Sequence, residues 1–125
     1  TAATAIYTLS LHDALPIFDS MNIDQYVRYQ DIILSPGSDH SSVVAAADPD
    51  NDNLTYRWEI KPEAKYASYA GQGEVAPKPV PGLVSGNSSM VKFKAPAEPG
   101  AYRLFVYAFD NNGHFSTANL PFLVK

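Results

Sequence analysis

The fold is decided by Asp48-Pro49-Asp50-Asn51-Asp52-Asn53-Leu54-Thr55-Tyr56-Arg57-Trp58, in which an acidic, Asn-rich turn leads into a strand of alternating apolar and polar residues. A second stretch places a strand before such a turn: Gly100-Ala101-Tyr102-Arg103-Leu104-Phe105-Val106-Tyr107-Ala108-Phe109-Asp110-Asn111-Asn112-Gly113. Alternation with a period of two predicts a half-buried β-strand, and Asp, Asn and Gly are typical turn residues. The two stretches therefore predict neighbouring strands of a small antiparallel sandwich.

The composition fits a single all-β domain. The chain has 125 residues, of which 46% are hydrophobic and 18% are charged, and its ten prolines and seven glycines indicate many turns. A net charge of −4 without a Lys/Arg cluster argues against a nucleic-acid partner. The absence of cysteine excludes disulfides and thiol nucleophiles. No apolar run reaches the ~18 residues that a membrane span needs.

The amino terminus is set apart from the fold. The stretch Ile6-Tyr7-Thr8-Leu9-Ser10-Leu11-His12-Asp13-Ala14-Leu15-Pro16-Ile17 resembles the conceptual translation of a sequencing adapter rather than any protein family. The alternative is a genuine amphipathic N-terminal segment. We therefore expect residues 1–17 to be non-native or disordered and residues 18–125 to form the domain, which we expect to be the tail of a longer protein.

The parity of two strands predicts the core. From Leu54 to Lys61, one face carries Leu54, Tyr56, Trp58 and Ile60, and the other carries Thr55, Arg57, Glu59 and Lys61. Trp58 is interpreted as a buried anchor rather than a sugar platform, and its indole N–H then needs a partner. The later strand is predicted to bury Tyr102, Leu104, Val106 and Ala108. The Tyr102 hydroxyl is expected to bond back to the preceding loop.

Other strands are expected at residues 21–23, 31–34, 42–47, 90–94 and 115–124. Residues 62–89 form an irregular insertion that is too long for a hairpin loop. Such insertions are usually functional or fold back over a sheet as a lid.

The acidic turn with Leu54-Thr55-Tyr56-Arg57-Trp58, taken together with Ala101 to Asp110, resembles immunoglobulin-like modules of the polycystic-kidney-disease-repeat and cadherin-like type. Asn51 stands where Gly is common in that motif. More narrowly, Trp58-Glu59-Ile60, Pro81-Gly82-Leu83, and Lys94-Ala95-Pro96 through Tyr107 resemble the C-terminal sandwich of secreted glycoside hydrolases from Bacteroidetes-type bacteria. This resemblance implies a noncatalytic accessory domain of a polysaccharide-degrading enzyme.

The outward face of the two strands is the candidate ligand site. Opposite the core lie Arg103, Phe105, Tyr107 and Phe109, beside the strand that carries Arg57 and Glu59. Aromatic faces next to charged groups suit a sugar, because rings stack on C–H faces while charged groups bind hydroxyls. The predicted ligand-binding residues are Arg57, Glu59, Tyr66, Tyr69, Phe105, Tyr107 and Phe109. Two alternatives remain: the insertion, with Tyr66, Tyr69, Val75 and Leu83, covers the face as a second small core, or the face packs against the catalytic domain.

A calcium site is predicted from Asp48, Asp50 and Asp52, joined by Asp110 from the other turn, because hard cations need several convergent carboxylate oxygens. An EF-hand is rejected, since Asn53 replaces the required Gly and a strand follows. The alternative is a solvated Asx turn without metal.

Catalytic residues are not expected, because the three histidines, His12, His40 and His114, lack a nucleophile elbow or zinc-ligand spacing. The expected protein is a secreted, periplasmic or cell-surface module without an obligatory cofactor. Its expected partners are the catalytic domain of the same polypeptide and a polysaccharide, with neither nucleic acid nor a membrane span. The rival functions are a calcium-stabilised adhesion or interaction module and a true carbohydrate-binding module with its own affinity.

Overall fold

The computed structural model describes residues 14–28, 30–63 and 77–125. Tyr66, Tyr69 and Val75, and with them most of the predicted lid, lie outside these residues. The described residues contain nine strands: β1 (Ile17–Ile23), β2 (Tyr26–Val27), β3 (Ile33–Leu34), β4 (Asp39–Ala47), β5 (Thr55–Pro62), β6 (Val84–Ser85), β7 (Met90–Lys94), β8 (Gly100–Phe109) and β9 (Phe115–Val124).

The strands form two sheets. One has the order β2-β1-β4-β7-β6 and the other has the order β3-β9-β8-β5. All pairings are antiparallel except that between β3 and β9, where Ile33 and Leu34 pair in parallel with Leu123 and Val124. The chain thus passes to the second sheet after β2, forms the short edge strand β3 there, and returns to the first sheet with β4. The predicted all-β sandwich is confirmed.

The core lies between the sheets and has the predicted parity. Ile60, Leu104 and Leu120 lie opposite one another on β5, β8 and β9, and all three are buried. Val91 and Phe93 of β7 and Val44 of β4 contribute the facing layer. Alternation along a strand sends successive side chains to opposite faces, so each buried residue implies an outward neighbour.

The sequence predicted a hydrogen-bond partner for Trp58 and a bond from Tyr102 to the preceding loop, and the structure contains both. Trp58 is 6% exposed, and its indole Nε1–H donates to the Ser88 carbonyl at 2.8 Å. The Tyr102 hydroxyl donates to the Glu98 carbonyl at 2.8 Å, while its ring stacks on Phe122. Since buried N–H and O–H groups need partners, each bond also fixes the loop that supplies the carbonyl.

The structure moves several strand boundaries. β1 begins at Ile17, four residues before the predicted strand, and contains a register shift between Phe18 and Ser20. β4 begins at Asp39 rather than at residue 42, whereas β7 and β9 match their predicted ranges. The short strands β2 and β6 were not predicted, because two residues are too few to show a period. Within the described ranges, no helix has the length and apolarity needed to cross a membrane.

Candidate functional site

The outward face of β5, β8 and β9 is a grid of cross-strand rows. We call it the outer face, and its rows are Thr55–Phe109–Phe115, Arg57–Tyr107–Thr117, Glu59–Phe105–Asn119 and Lys61–Arg103–Pro121. Residues directly opposite on antiparallel strands lie close enough for their side chains to interact. The register therefore brings together Arg57, Glu59, Phe105, Tyr107 and Phe109, as the sequence predicted.

Two of the predicted rings have a cation over one face. The Arg57 guanidinium carbon lies 4.7 Å from the centre of the Tyr107 ring, and the Lys61 ammonium lies 5.4 Å from that of Phe105. Cation–π contacts of this kind stabilise a sheet surface without excluding water from it. Both rings are half-buried, so Phe105 and Tyr107 are less open to a ligand than alternation alone suggested.

The most accessible ring of the outer face was not among the predicted ligand residues. Phe115 is 49% exposed, and its ring centre lies 5.6 Å from that of Phe109 and 6.3 Å from that of Tyr107. We call these three rings the aromatic cluster. The sequence signal that could have found Phe115 is its place opposite Phe109 across the Asp110–Gly113 turn, since a hairpin pairs the residues that flank its turn.

Carboxylates on the outer face are already engaged. The Tyr107 hydroxyl donates to Glu59 Oε1 at 2.5 Å, and the same oxygen lies 3.3 Å from the Lys61 ammonium. Burial raises the pKa of Tyr107, and the hydrogen bond to Glu59 raises it further. Arg103 Nε donates to both Glu63 oxygens at 2.7 and 2.8 Å, and its Nη1 donates to the Asn119 side chain. The surface is therefore ordered by its own contacts.

The predicted acidic cluster is also assembled. Oxygens of Asp48, Asp50 and Asp52 lie within 4.8 Å of one another. Asp48 is buried, and its carboxylate accepts the backbone N–H of Asp50 at 3.4 Å and that of Asp52 at 2.9 Å, as in an Asx turn. The Oδ2 atom of Asp50 is buried and has no hydrogen-bond partner among the described residues. Burial raises the pKa of Asp52, and its neighbours Asp48, Asp50 and Asp110 raise it further.

The carboxylate of Asp110, the fourth predicted metal ligand, accepts hydrogen bonds within its own turn. Its side chain is buried, and Oδ1 accepts the backbone N–H groups of Asn112 at 2.8 Å and His114 at 3.1 Å. Burial opposes ionisation, but these N–H donors and the His114 ring hold the pKa of Asp110 below its usual value. The two turns are linked instead through Asn112, whose amide donates to Asp52 Oδ2 at 2.6 Å.

Sequence reasoning missed a polar relay around His40. Its Nε2 lies 2.6 Å from the Ser38 hydroxyl, and its Nδ1 lies 2.7 Å from Asp24 Oδ2. A serine-hydrolase relay uses the same residue types, but here the Ser38 hydroxyl donates its proton to the Ser35 carbonyl at 2.6 Å and so accepts from His40 instead of donating to it. In addition, the Ser38 backbone N–H donates to the Ser35 carbonyl, and the Gly37 N–H donates to that of Ala95. Neither N–H is then free to stabilise an oxyanion. We interpret the relay as a structural tie across the chain segment that changes sheets.

No family model and no curated protein matches this chain. Among solved structures, the chain is similar to a nucleoside hydrolase-related hypothetical protein from Saccharophagus degradans that is associated with carbohydrate metabolism, with 19% identity, a TM-score of 0.48, and coverage of 89% of this chain and 25% of that one. This chain thus spans about a quarter of that protein. It is also similar to PcoC, a methionine-rich copper resistance protein from Escherichia coli, with 19% identity, a TM-score of 0.47, and coverage of 90% of this chain and 100% of that one. At these scores, neither likeness assigns a function to this chain.

Proposed function

We propose that this chain is a noncatalytic, immunoglobulin-like accessory module of a secreted polysaccharide-degrading enzyme. It spaces or packs against the catalytic domain of the same polypeptide and makes weak contact with carbohydrate. The strand order supports the immunoglobulin-like assignment: β1, β4, β7 and β6 occupy one sheet, and β5, β8 and β9 occupy the other. When the two-residue strands β2 and β3 are not counted, these are the first, second, fifth and fourth strands in one sheet and the remaining three in the other. Immunoglobulin-type sandwiches have the same arrangement.

The observation that carries the carbohydrate contact is the aromatic cluster beside hydrogen-bonding side chains. Phe109 and Phe115 offer apolar surface, and Arg57 and Thr117 lie in the next row of the outer face. Sugars present an apolar C–H face and a rim of hydroxyls, and this arrangement can engage both at once. A few contacts on an open surface give weak binding, as expected of an accessory module.

Affinity electrophoresis in gels containing soluble polysaccharides tests this contact. We expect at least one polysaccharide to retard the protein, and Phe109→Ala with Phe115→Ala to weaken binding about two- to tenfold, the range for one aromatic contact. Met90→Ala is the matched control, because Met90 is 54% exposed on the other sheet. Equal retardation of the aromatic variant and the wild type would contradict the site, and absence of retardation across the panel would contradict carbohydrate contact.

The accessory role has a separate test. We expect the uninterrupted genomic reading frame upstream of Phe18 to encode a glycoside hydrolase domain. A frame that encodes another class of domain, or none, would contradict attachment to a polysaccharide-degrading enzyme whether or not the module binds sugar.

A second function, a calcium-stabilised interaction module, is favoured by the buried Asp50 oxygen without a partner in a cluster of three carboxylates. A cation there would satisfy Asp50 Oδ2 and offset the mutual repulsion of the cluster. Bound Ca²⁺ stabilises the fold by RT ln(1 + [Ca²⁺]/Kd), about 2.7 kcal/mol at one hundred times Kd. Thermal melts with Ca²⁺, with Mg²⁺ and with chelator measure this effect.

Asp50→Asn separates the two interpretations of the acidic cluster. If calcium binds, the variant loses the calcium-dependent rise in melting temperature. It also melts higher than the wild type in chelator, because one repelling charge has been removed. If the cluster is only an Asx turn, Ca²⁺ leaves the melting temperature of both proteins unchanged.

A further inference from the structure

The cations of the outer face differ in whether an acidic partner neutralises them. Lys61 lies 3.3 Å from Glu59, and Arg103 forms a two-oxygen contact with Glu63. Arg57 differs from both, since none of the carboxylates in the described residues forms an ion pair with it. The outer face thus carries one cation that is not compensated within the described structure.

Arg57 is nevertheless held in place. It is exposed, it lies directly opposite Tyr107 across the β5–β8 pair, and its guanidinium carbon lies over the Tyr107 ring, 4.7 Å from the ring centre. Tyr107 is itself fixed by its hydroxyl bond to Glu59. The guanidinium carries five N–H donors in a fork whose geometry suits an oxyanion. The side chain is therefore preorganised to accept a carboxylate or a sulfate.

We infer that the outer face selects polysaccharides that carry an anionic group, with Arg57 as the residue that determines this specificity. Arg57 binds the carboxylate or sulfate of one sugar unit, and the aromatic cluster takes the apolar face of the same or the next unit. This inference rests on the carbohydrate contact proposed above. Glu59, the nearest acidic side chain on β5, does not repel such a ligand strongly, because Tyr107 and Lys61 already engage its Oε1.

The overall charge of the protein works against the binding of an anionic polymer. The net charge is −4, so an anionic polymer is repelled by the molecule as a whole and needs a specific local cation. A charge-assisted, bidentate contact with a guanidinium is the strongest single polar contact that an exposed side chain offers, although solvent screens it. We expect it to favour the anionic form of a polymer about three- to tenfold at low salt.

The test compares matched polymers that differ in the anionic group alone. Polygalacturonic acid is paired with the same polymer after carboxyl reduction, and a sulfated galactan is paired with its desulfated form, so that the arms distinguish carboxylate from sulfate. Dissociation constants are measured by isothermal titration or affinity electrophoresis for the wild type, Arg57→Gln, Arg57→Lys and Lys92→Gln. Lys92→Gln is the control, because it removes the same charge from the exposed face of the other sheet.

We expect the wild type to prefer at least one anionic polymer and Arg57→Gln to bind both members of that pair equally. Arg57→Lys retains part of the preference as a point charge, and Lys92→Gln retains all of it. Added NaCl diminishes the preference of the wild type, whereas Arg57→Gln binds both members equally at every salt concentration. A preference that survives in Arg57→Gln, or equal binding of both members by the wild type, overturns this inference and leaves the carbohydrate contact standing. Failure of all polymers to bind overturns the carbohydrate contact as well.

Discussion

Val43 and Val44 allow a matched test of which face of β4 is buried. They are the same residue at adjacent positions, and Val44 is 4% exposed in the core whereas Val43 is 40% exposed beside Met90. Replacing either by Ala removes the same two methyl groups and the same β-propensity from the same strand. The difference between the two variants therefore isolates burial.

The expected loss of stability follows from area and cavity. At about 0.8 kcal/mol for each buried CH₂ equivalent, Val44→Ala costs ~1.6 kcal/mol. The cavity left between the sheets adds up to about 1 kcal/mol. Val43→Ala costs about 0.5–1 kcal/mol, because its side chain is partly hydrated already and water fills the space it leaves. We expect the free energies of unfolding to differ by about 1.5 kcal/mol.

Urea denaturation followed by tryptophan fluorescence measures this difference. With an m-value of about 2 kcal/mol/M, the midpoint of Val44→Ala should lie ~0.8 M below that of Val43→Ala. At about 4 °C for each kcal/mol, the melting temperatures should differ by ~6 °C. Equal losses, or a larger loss for Val43→Ala, would refute the assignment of Val44 to the core and with it the parity of the first sheet.

Three further predictions concern aromatic side chains that are buried or half-buried. Tyr102→Phe keeps the stack on Phe122 but loses the hydroxyl bond to Glu98, so its free energy of unfolding should fall by about 1 kcal/mol in urea melts, and an unchanged midpoint would contradict that role. Trp58, the one tryptophan of the chain, should resist iodide quenching in the folded state and become quenchable only across the urea transition, whereas free quenching in buffer would contradict its burial. Burial raises the pKa of Tyr56, Tyr102 and Tyr107 above 10.0, so their contribution to stability is complete below pH 10.0 and is lost as the pH rises through the folded-state values. Thermal melts should therefore show falling stability above pH 10.0, with part of the phenolate absorbance appearing only on unfolding; full ionisation in the folded state would contradict this.

Much of the core could be predicted from sequence because alternation is a local property. A strand has two faces whatever its neighbours are, so the periods that contain Trp58 and Leu104 separate buried from outward residues before any partner strand is known. The same locality explains the acidic turn, where Asp48 accepts N–H groups two and four residues ahead. In both cases the interacting groups are close in sequence.

The candidate site depended on the register between strands. The contact of Arg103 with Glu63 and the position of Arg57 over the Tyr107 ring both join residues that are distant in sequence, so alternation did not reveal which cation has a carboxylate partner among the described residues. Alternation gives the face of a residue but not its cross-strand neighbour. Phe115 was missed for this reason, since its importance comes from the ring of Phe109 opposite it.

The sequence by itself determined an all-β chain, the parity of its long strands, a buried tryptophan and an outward row of rings, since all of these follow from the period of a single strand. Tertiary structure decided the passage of β3 to the second sheet, the contacts of His40 and, among the described residues, which cations of the outer face have an acidic partner. These features join groups that are distant along the chain, and the packing of the whole sandwich brings them together.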